Sequence, residues 1–200
     1  DILHVFNVFD INLMGHQPMN KTNDYILTLY PYFVPHGGVE KHLTELSSKL
    51  IESNVLNILL SFNTDDTTFQ VYGPASLNAP IQYPEVERVN SLIVSRITIP
   101  KYFLPLKRVP RYIKECLLSI YYGNKIRHLV TTLFNINAMR KLHTVYAIEP
   151  LAIASVRIVE RHLREKDTRL IAGIHTPWEF RNSLTKHLAA HLLKTFDACV

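Results

Sequence analysis

Hydrophobic positions along this chain fall into two kinds of block. Tyr25 to Leu29 and Val55 to Phe62 are short, nearly continuous apolar runs, the pattern of buried strands. Between them, Val39, Leu43, Leu46 and Leu50 recur at the spacing of one helical face, which predicts a helix over 39–52. Leu92 to Ile99 is rich in β-branched residues and reads as a further strand. Arg108 to Tyr121 reads as a helix with Val109, Ile113, Leu117 and Ile120 on one face. Ile126, Leu129, Val130, Leu133 and Phe134 also fit a helical face, although Val130 to Phe134 reads equally well as a strand.

The last third is plainer. His143 to Ile148 is a strand ending at Glu149-Pro150, and proline suits the first turn of the helix that Leu151 to Arg164 supplies. Arg169 to Ile174 is a strand, His175 to Trp178 a loop, and Leu184, Leu188 and Leu192 mark a helix. Ala198 to Val200 begins another strand. Phe69 to Val89, interrupted by Pro74, Pro80 and Pro84, reads as irregular chain or short edge strands. Asp1 to Phe9 has strand character and Asn12 to Asp24 is polar and turn-like, so residues 1–24 read as a leader or extension before a domain over 25–200. Alternating strands and helices predict an α/β fold: a mostly parallel sheet with helices on both faces.

Such a sheet binds ligands beyond the carboxyl ends of its strands. Three loops would meet there: Tyr30 to Gly38, Ile148 to Pro150, and Ile174 to Trp178. They bring His36, Glu40, Glu149, His175, Thr176 and Glu179 to one edge. Gly37 and Gly38, between a strand and a helix start, make an anion-binding corner where backbone amides point outward; a glycine pair also serves as an ordinary turn. Glu40 in the first helical turn either accepts hydrogen bonds from the helix start or orients a substrate hydroxyl. Glu149 either binds hydroxyls or a cation, or supplies favourable charge to the helix after Pro150. Lys41 and His42 add positive charge to the corner, or lie on the solvent face. Trp178 stacks on a sugar ring or packs a turn.

Composition narrows this picture. A chain of 200 residues, 47% hydrophobic with mean hydropathy +0.03, fits one domain with a sizeable core and argues against disorder. No apolar run approaches the length of a membrane-spanning helix. Cys116 and Cys199 sit among apolar neighbours and read as small buried side chains. Ten scattered histidines, without HExxH or paired CxxC spacing, give no metal site. The net charge of +5 is concentrated: Lys101, Lys107, Arg108, Arg111 and Lys114 are interleaved with Tyr102, Phe103, Leu104 and Leu106. That mixture suits the headgroup layer of an anionic membrane, or is a solvated face beside core residues. No RNP, KH or zinc-finger pattern accompanies it, so nucleic acid is not expected as a partner. The absence of GxGxxG after an early strand argues against a nucleotide-dependent oxidoreductase.

The wording of the glycine corner is narrower than its chemistry. Tyr30-Pro31, Pro35, Gly37-Gly38-Val39-Glu40 and Lys41-His42 resemble the N-terminal domain of the family 4 glycosyltransferases, as do the strand ending at His175 and the segment Phe196 to Val200. The resemblance spans Tyr25 to Val200 and is weak over 63–142. It implies a Rossmann-like domain forming one half of a GT-B fold, the acceptor-side half of a retaining enzyme. The whole enzyme would move a hexose from a nucleotide-sugar donor to a sugar or lipid hydroxyl, with no cofactor. It further implies that His175 lines the reaction centre as the catalytic candidate. Gly37 and Gly38 would lie beside the donor diphosphate, with Glu40, Glu149 and Thr176 among the donor- or acceptor-binding residues. The family's E-x7-E segment and phosphate-binding cations belong to a C-terminal donor domain for which these residues offer no place. This chain alone is then expected to lack efficient turnover, in a cytoplasmic protein, peripheral to the membrane if the basic segment docks there. A noncatalytic carbohydrate-binding or scaffold domain on the same fold is the alternative.

Overall fold

The computed structural model describes residues 24–33, 38–62, 86–89, 92–100, 111–136, 141–174 and 191–200. They form β1 (Asp24–Leu29), α1 (Gly38–Glu52), β2 (Val55–Phe62), β3 (Val86–Val89), β4 (Leu92–Ile97), α2 (Arg111–Ile136), β5 (Leu142–Ile148), α3 (Pro150–Arg164), β6 (Arg169–Gly173) and β7 (Ala198–Cys199). The strands make one sheet in the order β3-β4-β2-β1-β5-β6-β7. All neighbours pair in parallel except β3, which runs antiparallel to β4 at the edge. This is the Rossmann-like α/β architecture that the alternation predicts, and β3 is a short edge strand at the end of the proline-broken region. Of the expected leader over 1–24, Asp24 belongs to β1 and residues 1–23 lie outside the described residues. So do the irregular chain over 69–85 and most of the helix marked by Leu184 and Leu188.

Two apolar layers cover the sheet. On one face Leu43 of α1 packs with Phe33, Leu59, Leu92, Val94, Tyr146 and Ile148. On the other, α2 and α3 bury Leu118, Tyr122, Ile126, Val156 and Val159 against Leu27 of β1, Leu56, Ile58 and Leu60 of β2, and Val145 of β5. The helices lie on opposite faces because right-handed crossovers leave β1 and β5 toward opposite sides.

The helix face predicted for α1 is turned. Its most buried stripe is Glu40, Leu43 and Ser47, with Val39, Leu46 and Leu50 only half-buried. A polar chain explains the choice: Thr28 Oγ1 donates to Asn57 Oδ1 at 2.7 Å, Asn57 Nδ2 to Ser47 Oγ at 2.8 Å, and Ser47 Oγ to the Leu43 carbonyl at 2.8 Å. Each of these buried groups finds a partner, so α1 is fixed to β1 and β2 in one register.

α2 corrects two expectations. It is one helix of 26 residues rather than two elements, and Val130 to Phe134 lies within it as helix. Its buried residues are Leu118, Tyr122, Ile126, Leu129 and Val130, while Ile113, Leu117 and Ile120 face outward. Gly123 lets α3 approach: a side chain there would begin 3.3 Å from the Ser155 carbonyl. Both cysteines are exposed, against the expectation of burial. Apolar neighbours in a helix point in different directions, so they do not report on Cys116. Among the described residues, no helix is long and apolar enough to cross a membrane.

Candidate functional site

The chain leaves β1 through α1 toward β2, and leaves the adjacent β5 through α3 toward β6. The two connections diverge, which opens a crevice at the carboxyl ends of β1 and β5. Residues from both corners meet there.

The β1 corner is held by β2 and β4. Tyr30 N–H donates to the Leu60 carbonyl at 3.2 Å, and Phe62 N–H to the Pro31 carbonyl at 2.9 Å. Phe33 N–H donates to Ser61 Oγ at 3.1 Å, and Ser61 Oγ to the Pro31 carbonyl at 3.0 Å. Arg96, only 6% exposed, donates from Nη1 to the Phe33 carbonyl at 2.8 Å and lies 5.4 Å from the centre of the Phe33 ring. A charged-donor hydrogen bond and a cation–π contact therefore converge on one loop residue.

Beyond that loop, α1 delivers Glu40, 7% exposed, toward Tyr30. Burial pushes the Tyr30 phenol well above the ordinary tyrosine range, and the nearby carboxylates of Glu40 and Glu149 push it the same way. The phenol thus keeps its proton, with Glu40 as its side-chain hydrogen-bond partner.

Glu149 reaches this position at a conformational cost. Its φ of 79° and ψ of 150° fall in a region that essentially only glycine populates. Its carboxylate makes no cap hydrogen bond to α3, although its carbonyl accepts the Ile153 N–H at 3.1 Å. At the end of β6, Gly173 has no room for a side chain, since its first atom would lie 2.7 Å from the Tyr146 hydroxyl. Tyr146, on the neighbouring strand β5, fills that space.

Of the residues expected at this edge, Glu40 stands in the first turn of α1, within hydrogen-bond reach of Tyr30, and Glu149 directly follows β5, beside β1. Gly38 is exposed at the start of α1, with nothing within 4 Å of a would-be side chain. Lys41 and His42 are exposed in the first turns of the same helix. Gly37, His36, His175, Thr176, Trp178 and Glu179 lie outside the described residues. Sequence reasoning did not single out the Tyr30 phenol or Arg96 for the site. A cation inside the apolar run Leu92 to Ile99 was the available signal for Arg96.

No protein-family model matches the chain, and no curated protein does. Among solved structures it is similar to an α,α-trehalose-phosphate synthase (UDP-forming) from Burkholderia vietnamiensis, with a TM-score of 0.52 at 9% identity. An α,α-trehalose 6-phosphate synthase from Burkholderia multivorans gives a TM-score of 0.49 at 11% identity. Each match covers 90% of this chain and 40% of the solved chain. The chain has the Rossmann-like α/β fold of one half of a GT-B glycosyltransferase.

Proposed function

We propose that this chain is the acceptor-side half of a retaining family 4 glycosyltransferase, which moves a hexose from a nucleotide sugar to a sugar or lipid hydroxyl. The observation that carries the reading is the placement of Tyr30, Glu40 and the strained Glu149 after the adjacent strands β1 and β5, at the switch point of the sheet. The Gly37-Gly38-Val39-Glu40 wording supports the family, and the fold supports the half-enzyme architecture.

In this reading Glu40 and Glu149 accept hydrogen bonds from acceptor hydroxyls, and the Tyr30 phenol donates one. Orienting a hydroxyl toward the anomeric carbon removes much of the entropic barrier to attack. The amides at Gly37 and Gly38 face the donor diphosphate, where fixed dipoles stabilise leaving-group charge. His175 and Thr176 complete the reaction centre from the loop after β6. The donor base and most phosphate contacts come from a second domain. The chain spans 40% of the solved trehalose-phosphate synthase it matches, and in this reading turnover requires the second domain.

The test is transfer by the natural gene product containing this chain, assayed with a panel of nucleotide sugars. Glu149→Gln and His175→Ala should each reduce product formation by roughly 100-fold or more. Transfer unchanged in both variants would keep the enzyme class and remove these residues from its site. No transfer with any donor, alongside saturable sugar binding, would identify a noncatalytic carbohydrate-binding domain.

A further inference from the structure

Among the described residues, Glu40 and Arg96 are the only charged side chains that are buried. The place of Arg96 follows from strand alternation. Val94 and Leu59 belong to the apolar layer on the α1 face of the sheet. Side chains along a strand alternate between faces, so Arg96 and Ser61, each two residues further on, stand on that same face nearer the carboxyl edge. They are also register partners across β2 and β4. The apolar layer thus ends, toward the candidate site, in a serine and an arginine.

A buried guanidinium is costly unless its N–H groups find acceptors. Arg96 Nη1 donates to the Phe33 carbonyl at 2.8 Å, and lies 3.3 Å from Ser61 Oγ and 3.4 Å from the Phe62 carbonyl. The Ser61 hydroxyl gives its proton to the Pro31 carbonyl and accepts the Phe33 N–H. Phe33 is therefore held at its amide by Ser61, at its carbonyl by Arg96, and at its ring by the guanidinium 5.4 Å away.

What Phe33 touches in turn belongs to the site. Its ring meets the Tyr30 ring edge to face, with centroids 6.4 Å apart and planes at 80°. The Tyr30 phenol hydrogen-bonds Glu40. Leu43, one turn after Glu40, packs in the same apolar cluster as Phe33. Phe33 thus braces both members of the pair, Tyr30 through its ring and the helix of Glu40 through Leu43.

We propose that Arg96 is a positioning residue of the candidate site: through Phe33 it holds the Tyr30 phenol against Glu40. That this pair receives an acceptor hydroxyl rests on the transferase reading; its placement by Arg96 does not. Chain between elements is ordinarily the most mobile part of an α/β corner. A reacting group misplaced by about 1 Å loses on the order of 100-fold in rate. A buried cation that fixes Phe33 supplies rigidity to the corner that carries Tyr30.

The test reads the Tyr30 phenol directly, by NMR of the natural gene product isotopically labelled at tyrosine Cζ, with Tyr30→Phe identifying the signal. At about pH 10 an ordinary tyrosine is half ionised, whereas wild-type Tyr30 should remain protonated. Arg96→Met should expose the phenol and raise its ionised fraction toward one half. So should the milder Arg96→Lys, which keeps the charge without the planar fork. Loss of a nearby cation alone would favour the protonated phenol, so a rise reports position and not charge. A phenol that stays protonated in both folded variants would overturn the proposal. Arg96→Lys should also lower kcat/KM for transfer about tenfold or more. Val159→Ala, a cavity on the other face of the sheet, should lower the denaturation midpoint and leave kcat/KM within about twofold. An equal loss of kcat/KM in Val159→Ala would mark the Arg96 effect as general instability and overturn the proposal. A shifted phenol in a protein without transfer would support the positioning and remove the transferase reading; an unshifted phenol beside intact transfer would do the reverse.

Discussion

Two corners of the sheet each place a glutamate at the switch point by different means. At the first, Glu40 sits within α1 in ordinary helical backbone, and Arg96, Ser61 and the Asn57 chain hold the surrounding loop and helix in place. At the second, Glu149 sits between β5 and α3 in backbone that suits glycine. One corner is stabilised by a buried polar network; the other holds its side chain against local strain. A carboxylate retained where glycine would be easier points to a role for the side chain rather than for the turn.

The largest effect should come from loosening the first corner. Arg96→Met leaves the Phe33 carbonyl without its charged donor and should destabilise the fold by about 3 kcal/mol, read by chemical denaturation. Tyr30→Phe removes the donor that faces Glu40 and should cost about 1.5 kcal/mol. It should also alter the alkaline limb of stability. The folded Tyr30 holds its proton above the ordinary value of 10.0, so its contribution is complete below that pH and is lost as pH rises above it. The fall in stability on the alkaline side should therefore be shallower in Tyr30→Phe.

Glu149→Gly should act in the opposite direction, raising stability by about 1 kcal/mol as relieved strain outweighs the added freedom of glycine. The same variant should lose transfer activity, separating the stability of the second corner from its chemistry. A lower melting temperature in this variant would show that the Glu149 backbone is not strained. Gly38→Ala should be the mildest, changing stability by about 0.5 kcal/mol or less, since its surroundings are open. Weakened donor binding in that folded variant would place the glycine beside the diphosphate.

Local pattern carried much of the fold. β2 occupies Val55–Phe62 as its apolar run predicts, and Pro150 opens α3 as its geometry allows. Strand order was not legible, because it depends on pairings such as Thr28 with Tyr146 that lie far apart in sequence. Ile126, Leu129 and Val130 are buried as their spacing predicts. The facing of the earlier turns of α2 differs from the predicted stripe, because apolar residues surround that part of the helix and only the sheet beneath decides between two stripes. At the site, Glu40 and Glu149 were legible as polar groups following buried strands. Their placement after neighbouring strands was not, because it requires the switch point, and the backbone of Glu149 leaves no mark in the sequence.

The most direct test of a single site built from two corners is a double-mutant cycle on transfer, comparing kcat/KM for the natural gene product with Glu40→Gln, Glu149→Gln and the pair. Coupling of about 1 kcal/mol or more between the two substitutions is expected if both carboxylates act on one acceptor. Effects that add to within about 0.5 kcal/mol would contradict the account, leaving two glutamates that share a crevice but not a function.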